Sequence, residues 1–120
     1  MFKAILYEKS NGECPVERFA EELDLKQKAK LYAVIRRIEE QGNHTRLPLT
    51  RYLEDGILEA RVQVGNDYIR VLFFFYGKEQ IILTNGFMKK TQRTPRKYIA
   101  LAKSYQKDFV LRMENNDENV

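Results

Sequence analysis

Apolar residues alternate with polar ones through two runs after position 56, and a third run joins them. This is the period of a half-buried strand. In ILEARVQV, Leu58, Ala60, Val62 and Val64 share one face, and Ile57, Glu59, Arg61 and Gln63 the other. YIRVLFFFY and QIILTNGFMKK follow, with Gly65-Asn66-Asp67 and Gly77-Lys78 as the turns between them. Upstream, FKAILYEK has strand character. Pro15 suits a helix start, and Val16, Phe19, Ala20 and Leu23 form an apolar stripe behind it. Asp24 and Gln27 have the spacing of a capping box. They predict a second helix to about Gln41, with Leu25, Ala29, Tyr32, Ile35 and Ile38 inward and Gly42 as the stop. The segment NHTRLPLTRYLEDG is expected to be a loop. Thr94-Pro95 opens a last helix to about Met113, with Ile99, Ala102, Tyr105 and Phe109 inward. The predicted order is β-α-α-β-β-β-α, an α+β fold with a small, mainly antiparallel sheet. One domain covers residues 1–113, and 114–120 are expected to be a flexible polar tail.

Strand parity decides what the sheet displays. A tip at Asn66-Asp67 would pair Gln63 with Arg70, Arg61 with Leu72 and Glu59 with Phe74, leaving the opposite face wholly apolar. A turn at Gly77-Lys78 would pair Arg70 with Asn85 and Leu72 with Leu83. A one-residue slip would move every side chain to the other face, so an even loop is the consistent choice. One face then carries Glu59, Arg61, Gln63, Arg70, Asn85, Phe87 and Lys89. A buried sheet has no need of mid-strand arginines, whereas a surface that grips phosphate does.

Charge sharpens this picture. Residues 1–60 hold ten Lys/Arg against eleven Asp/Glu, whereas residues 61–112 hold eleven against three. The basic half is the half that contains the polar sheet face, which points to an anionic partner. A 120-residue chain has room for one core. The one cysteine, Cys14, excludes an internal disulfide. No apolar run is long enough to span a membrane, and the N-terminus lacks a signal-peptide cleavage pattern, so a cytoplasmic location is expected. One Cys, one His and no carboxylate cluster at ligand spacing leave no metal site, and no nucleotide-binding glycine motif predicts a cofactor.

Three motifs carry a resemblance. They are Leu58-Glu59-Ala60-Arg61, then Tyr68-Ile69-Arg70-Val71-Leu72-Phe73-Phe74, and last Gly86-Phe87-Met88-Lys89-Lys90-Thr91-Gln92-Arg93-Thr94-Pro95, which fits G-F-x-K-K-T-x-x-T-P with its spacing intact. Together with the element order they resemble the RelE/ParE toxin superfamily, most closely its HigB-like, phage-derived branch. The resemblance implies a toxin of a type II toxin–antitoxin system. RelE- and HigB-like members cut messenger RNA on the ribosome and stop translation, whereas ParE-like members share the fold and poison DNA gyrase. It also implies a cognate antitoxin, in this branch often a helix-turn-helix protein. A basic RNA-binding or phage accessory protein without enzymatic activity is the third reading.

Metal-free RNA cleavage needs alignment of the 2′-hydroxyl, stabilised negative charge and moving protons. Arg61 and Arg70 suit the charge, and Lys89 suits the leaving oxygen. Glu59 and Tyr98 are acid–base or orienting candidates, with Arg61 as the salt-bridge partner that Glu59 would orient. Lys90, Phe87, Gln63, Asn85 and Arg93 are candidates for holding RNA, with Phe87 either stacking a base or filling core. His44 lies in a predicted loop, where a histidine is usually just solvated.

Overall fold

A computed structural model describes residues 1–118 of the chain. Strand β1 (Lys3–Leu6) is followed by helices α1 (Pro15–Glu21) and α2 (Leu25–Gln41), a 3-10 turn at Gly42–His44, strands β2 (Thr50–Glu54), β3 (Ile57–Val64), β4 (Asp67–Tyr76) and β5 (Gln80–Lys89), and helix α3 (Arg96–Glu118). The strands form one sheet in the order β1-β5-β4-β3-β2. β1 runs parallel to β5 and the other pairs are antiparallel.

The sheet is sandwiched between helices. α1 and α2 supply Val16, Leu31, Val34 and Ile38 to a core against Ala60, Val62, Val71 and Phe73. α3 packs Ala102, Tyr105 and Phe109 on the opposite face, against Tyr7, Leu72 and Phe74. The predicted α+β class and the alternation of faces along β3 and β4 therefore hold.

Four details differ from expectation. First, the segment read as a loop contains β2, joined to β3 by Asp55-Gly56, both at positive φ (50° and 83°). Asp-Gly between two strand runs is the signature of a tight hairpin turn.

Second, α2 turns a different stripe inward. Gln27, Leu31, Val34 and Ile38 are buried, while Leu25 and Tyr32 are 85% and 58% exposed. The capping box forms as predicted: the Gln27 amide N–H donates to Asp24 Oδ1 (2.7 Å) and the Asp24 N–H to Gln27 Oε1 (3.0 Å). The Gln27 side chain also donates to Asp67 (3.1 Å). A satisfied polar residue thus occupies the inner face, and Leu25, in the first turn, points out to solvent.

Third, the β3–β4 turn is Gly65-Asn66. Val64 opposes Asp67, Arg61 opposes Arg70, Gln63 opposes Tyr68 and Glu59 opposes Leu72. The pairing has slipped by two residues, so the faces survive but the predicted partners do not. On the far side of β4, Arg70 opposes Phe87 and Leu72 opposes Asn85, and then a bulge at Thr84 shifts the register so that Phe73 opposes Leu83.

Fourth, α3 continues past Met113 to Glu118, through most of the segment expected to be a tail, and residues 119–120 lie outside the described residues.

The two helix readings make opposite predictions for adjacent residues. Leu31→Ala should cost about 2–5 kcal/mol, because Leu31 has no exposed surface, whereas Tyr32→Ala should change stability by less than about 0.5 kcal/mol. Urea denaturation of the two variants checks this, and equal losses would contradict the observed face.

Candidate functional site

The polar face of the sheet closes around one carboxylate. Glu59, in the middle of β3, has no exposed surface. Its Oε1 accepts from Arg61 Nη1 at 3.2 Å and faces Arg70 Nε at 3.5 Å. Its Oε2 accepts from the hydroxyl of Thr94, which is buried just ahead of α3. Each of the three partners comes from a different place. Arg61 lies two residues along the same strand, Arg70 stands on β4 directly opposite Arg61, and Thr94 ends the loop after β5. A buried carboxylate without such partners would be displaced by its desolvation cost.

Arg70 is buried as well, with a side chain only 5% exposed. Its Nη1 donates to its neighbour Ile69's carbonyl (2.9 Å) and more weakly to that of Val62 (3.5 Å). Its guanidinium lies 5.9 Å from the Tyr68 ring centroid. Nε has no hydrogen-bond partner despite its closeness to Glu59, so that contact is Coulombic rather than directional. Burial, and then the nearby Arg61 charge, lower the Arg70 pKa, with Glu59 and Tyr68 opposing. Arginine's very high starting value keeps the group charged. Arg61 is a quarter exposed and presents the outer guanidinium of the pair.

Lys89, at the end of β5, is half-buried on the same face. Burial lowers its pKa, and the Arg70, Arg61 and Arg51 charges act in the same direction while Glu59 opposes them. The cluster therefore gathers Arg61, Arg70 and Lys89 around a single carboxylate, leaving surplus positive charge in a partly desolvated place. Arg51, exposed on β2 and directly opposite Glu59, adds to that surplus. The sequence pattern alone does not disclose Arg51, because β2 lies in a segment with the composition of a loop. The Asp55-Gly56 turn was the available signal.

The other predicted residues divide into two groups. Phe87 is buried and stacked on Tyr98 with ring centroids 4.0 Å apart and planes within 3°. Lys97 Nζ stands 5.0 Å from the centroid of the Tyr98 ring. Asn85 is buried, accepts from Thr84 (2.7 Å) and donates to the Tyr98 carbonyl (3.3 Å). These groups fasten the first turn of α3 to β5. By contrast Gln63, Lys90 and Arg93 are exposed. Gln63 donates to the Gly65 carbonyl (3.1 Å) and lies 3.4 Å from the Tyr68 hydroxyl. His44 is exposed on the 3-10 turn and lines a cleft that Arg61 and Arg70 also line. Among the described residues no cluster of His, Cys, Asp and Glu is placed to hold a metal ion, and no helix is long and apolar enough to cross a membrane.

A second clamp holds α3 in place. Glu54, at the end of β2, accepts from both terminal nitrogens of Arg96, with Nη2 at 3.0 Å, and from Lys103 at 3.0 Å. Lys103 also reaches Asp55 (2.7 Å), and Gln106 donates to the Asp55 carbonyl (3.2 Å).

Residues 18–107 match the family profile described as "Phage derived protein Gp49-like (DUF891)". The chain belongs to this Gp49-like family, a RelE-type, toxin-like family. A search of curated proteins finds no significant match. The matched span of the Gp49-like chain runs from α1 into α3 and takes in every residue of the Glu59 cluster.

Two tests follow from this geometry. Arg70→Ala should destabilise the fold by about 3–5 kcal/mol, because it removes a buried cation beside a buried carboxylate, while Arg61→Ala, at a residue that is partly exposed but donates to that carboxylate at 3.2 Å, should cost about 1–3 kcal/mol; urea unfolding separates the two. Hydrogen bonds from Arg96 first and Lys103 second hold the Glu54 carboxyl down at about 2, below its ordinary 4.5. A depressed carboxyl contributes stability above its unfolded value and loses it as pH falls through its folded value. The clamp should therefore weaken between about pH 4.5 and 2. Glu54→Gln should flatten the slope of stability against pH in that window, as read by thermal melts.

Proposed function

We propose that this Gp49-like chain is a HigB-like toxin of a type II toxin–antitoxin pair, and that it cuts messenger RNA on the ribosome without a metal ion. The observation that supports this reading is the excess of fixed positive charge around Glu59, where Arg61 and Lys89 remain accessible beside a buried Arg70.

Cleavage by this cluster needs only the RNA and its own protons. The 2′-hydroxyl oxygen attacks the adjacent phosphorus, the P–O5′ bond breaks, and the products are a 2′,3′-cyclic phosphate and a free 5′-hydroxyl. Arg61 holds the phosphoryl oxygens and neutralises the charge that grows on them. Lys89, with its lowered pKa, donates a proton to the departing 5′ oxygen. Glu59 is sealed by Thr94 and the arginines, so it acts as an orienting strut, and the 2′-hydroxyl proton leaves to water. Arg70 braces Glu59 and Arg61 from below and adds its field to theirs. Tyr98 carries its own ring and Phe87 as the wall of the site. Gln63, Lys90 and Arg93, all exposed nearby, contact the RNA backbone. A small helix-turn-helix antitoxin would neutralise the protein by covering this basic face.

Primer extension on a reporter message after brief induction in translating cells tests the proposal. The wild type should yield discrete cuts that require translation, and Arg61→Ala, checked for native circular dichroism, should reduce them by about 10²–10³-fold. Undiminished cutting by the folded variant would refute the assignment. Growth arrest with intact message and a DNA-damage response would point instead to gyrase. Intact message with normal growth would favour a binding protein without catalytic activity.

A further inference from the structure

The Glu59 cluster is not the only cationic feature. β2 pairs with β3 only as far as Thr50 opposite Ala60, and the Arg61 amide is then taken by the Leu49 carbonyl (2.9 Å). Beyond that point β3 has no partner strand on this side among the described residues. A cleft of about 540 Å³ opens there, between α2 and the segment that follows the 3-10 turn. Lys30, Arg37, His44, Arg46, Arg61 and Arg70 all line it, and no Asp or Glu does.

Arg61 and Arg70 share the one carboxylate of Glu59, and the other cations of this cleft are not neutralised from within. Arg36, next to Arg37 on α2, is paired with Glu40 at 3.4 Å. Lys30, Arg37 and Arg46 have no carboxylate within ion-pair distance among the described residues. Arg46 is instead fixed by donating from Nη1 to the carbonyls of Asn43 and Thr45, both at 2.8 Å. Holding like charges together in this way costs free energy that an external anion would offset. Lys30, Val34, Arg37 and Gln41 form one stripe of α2, so Lys30 and Arg37 lie about 10 Å apart along the helix axis. That spacing accommodates more than one backbone phosphate. Tyr68 and Gln63, where the cleft meets the strands, offer a ring face and an amide for a base.

We infer that this cleft is a second binding site, for single-stranded RNA, and that it is continuous with the arginine cluster through Arg61. A strand would lie with one phosphate at Arg61 and its neighbours along Lys30 and Arg37. The inference deepens the proposed function and rests on that reading for the identity of the strand. The alternating ring, amide and cation lining favours RNA over an acidic polypeptide, which would need only the cations.

Binding of a short fluorescent 2′-O-methyl oligoribonucleotide tests this without cleavage, since the attacking hydroxyl is blocked. Fluorescence anisotropy is measured across a salt series for the wild type and for Lys30→Ala/Arg37→Ala, which alters two exposed helix positions outside the Glu59 cluster. The double variant should bind at least tenfold more weakly, and its log–log salt slope should be shallower by about 1.4, or 0.7 for each lost phosphate contact on a single strand. Unchanged affinity and slope, or no binding by the wild type at low salt, would overturn the inference. Tighter binding of poly-glutamate than of RNA, lost in the same variant, would overturn it in favour of an acidic protein partner. Failures of the two proposals are distinguishable. Binding that depends on Lys30 and Arg37 without cleavage in cells removes the nuclease and keeps the cleft. Cleavage by a wild type whose RNA binding ignores these residues does the reverse.

Discussion

A carboxylate with no exposure to water must be surrounded by donors, and the Gp49-like chain is organised around meeting that demand for Glu59. β3 brings the carboxylate and Arg61, β4 brings Arg70 directly opposite Arg61, and the loop into α3 brings Thr94. Moving any of these elements by a residue would leave a charge unpaired inside the protein. Buried ion pairs of this sort are weak sources of net stability. What this one supplies is position, because it fixes two guanidinium groups and the start of a helix relative to one another before any ligand arrives. Sites that stabilise developing negative charge work through such preorganisation.

The two faces of the sheet divide the labour. The face toward α1 and α2 is apolar along β3 and β4, and it carries the larger core. The other face is split along the strands. Its lower part is closed by the aromatic side chains of α3, with Tyr7 stacked on Tyr105 at 4.6 Å and Phe109 edge-on to both Phe74 and Tyr76. Its upper part is given over to charge. Phe87 and Tyr98 mark the border between the two. The Glu54–Arg96–Lys103 clamp lies on the β2 side, so α3 is anchored by aromatic packing along one flank and by ion pairs along the other.

Much of this was legible in the sequence, for identifiable reasons. The alternation in ILEARVQV has one physical reading, so it fixes the polar face of β3 even though the turn residues alone point one residue beyond the observed Gly65-Asn66 turn. A two-residue slip preserves parity, which is why Glu59, Arg61, Gln63 and Arg70 were grouped correctly while their partners were not. The caps at Asp24 and Gly42 are local interactions and were readable as such. What could not be read was set by tertiary context. Nothing in the composition of α2 distinguishes the stripe at Leu31 and Val34 from the one at Leu25 and Tyr32, and the bond from Gln27 to Asp67 crosses forty residues of chain. The burial of Arg70, Asn85 and Phe87 depends on where α3 lies, which no strand pattern discloses. Arg51 and the cleft between α2 and β3 are not legible in the sequence because β2 has the composition of a loop.

The bulge at Thr84 has an effect out of proportion to its size. Thr84 is fully buried, donates to the Leu72 carbonyl (3.1 Å) and stands as the extra residue between Leu83 and Asn85. Before it, even-numbered residues of β5 look toward α3, as Ile82 does; after it, odd-numbered residues do, as Phe87 does. Lys89 reaches the Glu59 cluster only because of that change of phase. In an unbroken strand the same lysine would point into the apolar layer under α2, and Met88 would face the arginines. The placement of this ammonium is thus written in the length of the chain rather than in the identity of any residue. Losing one residue from β5 would turn its charged end inside out, a change that no single substitution along the strand can imitate.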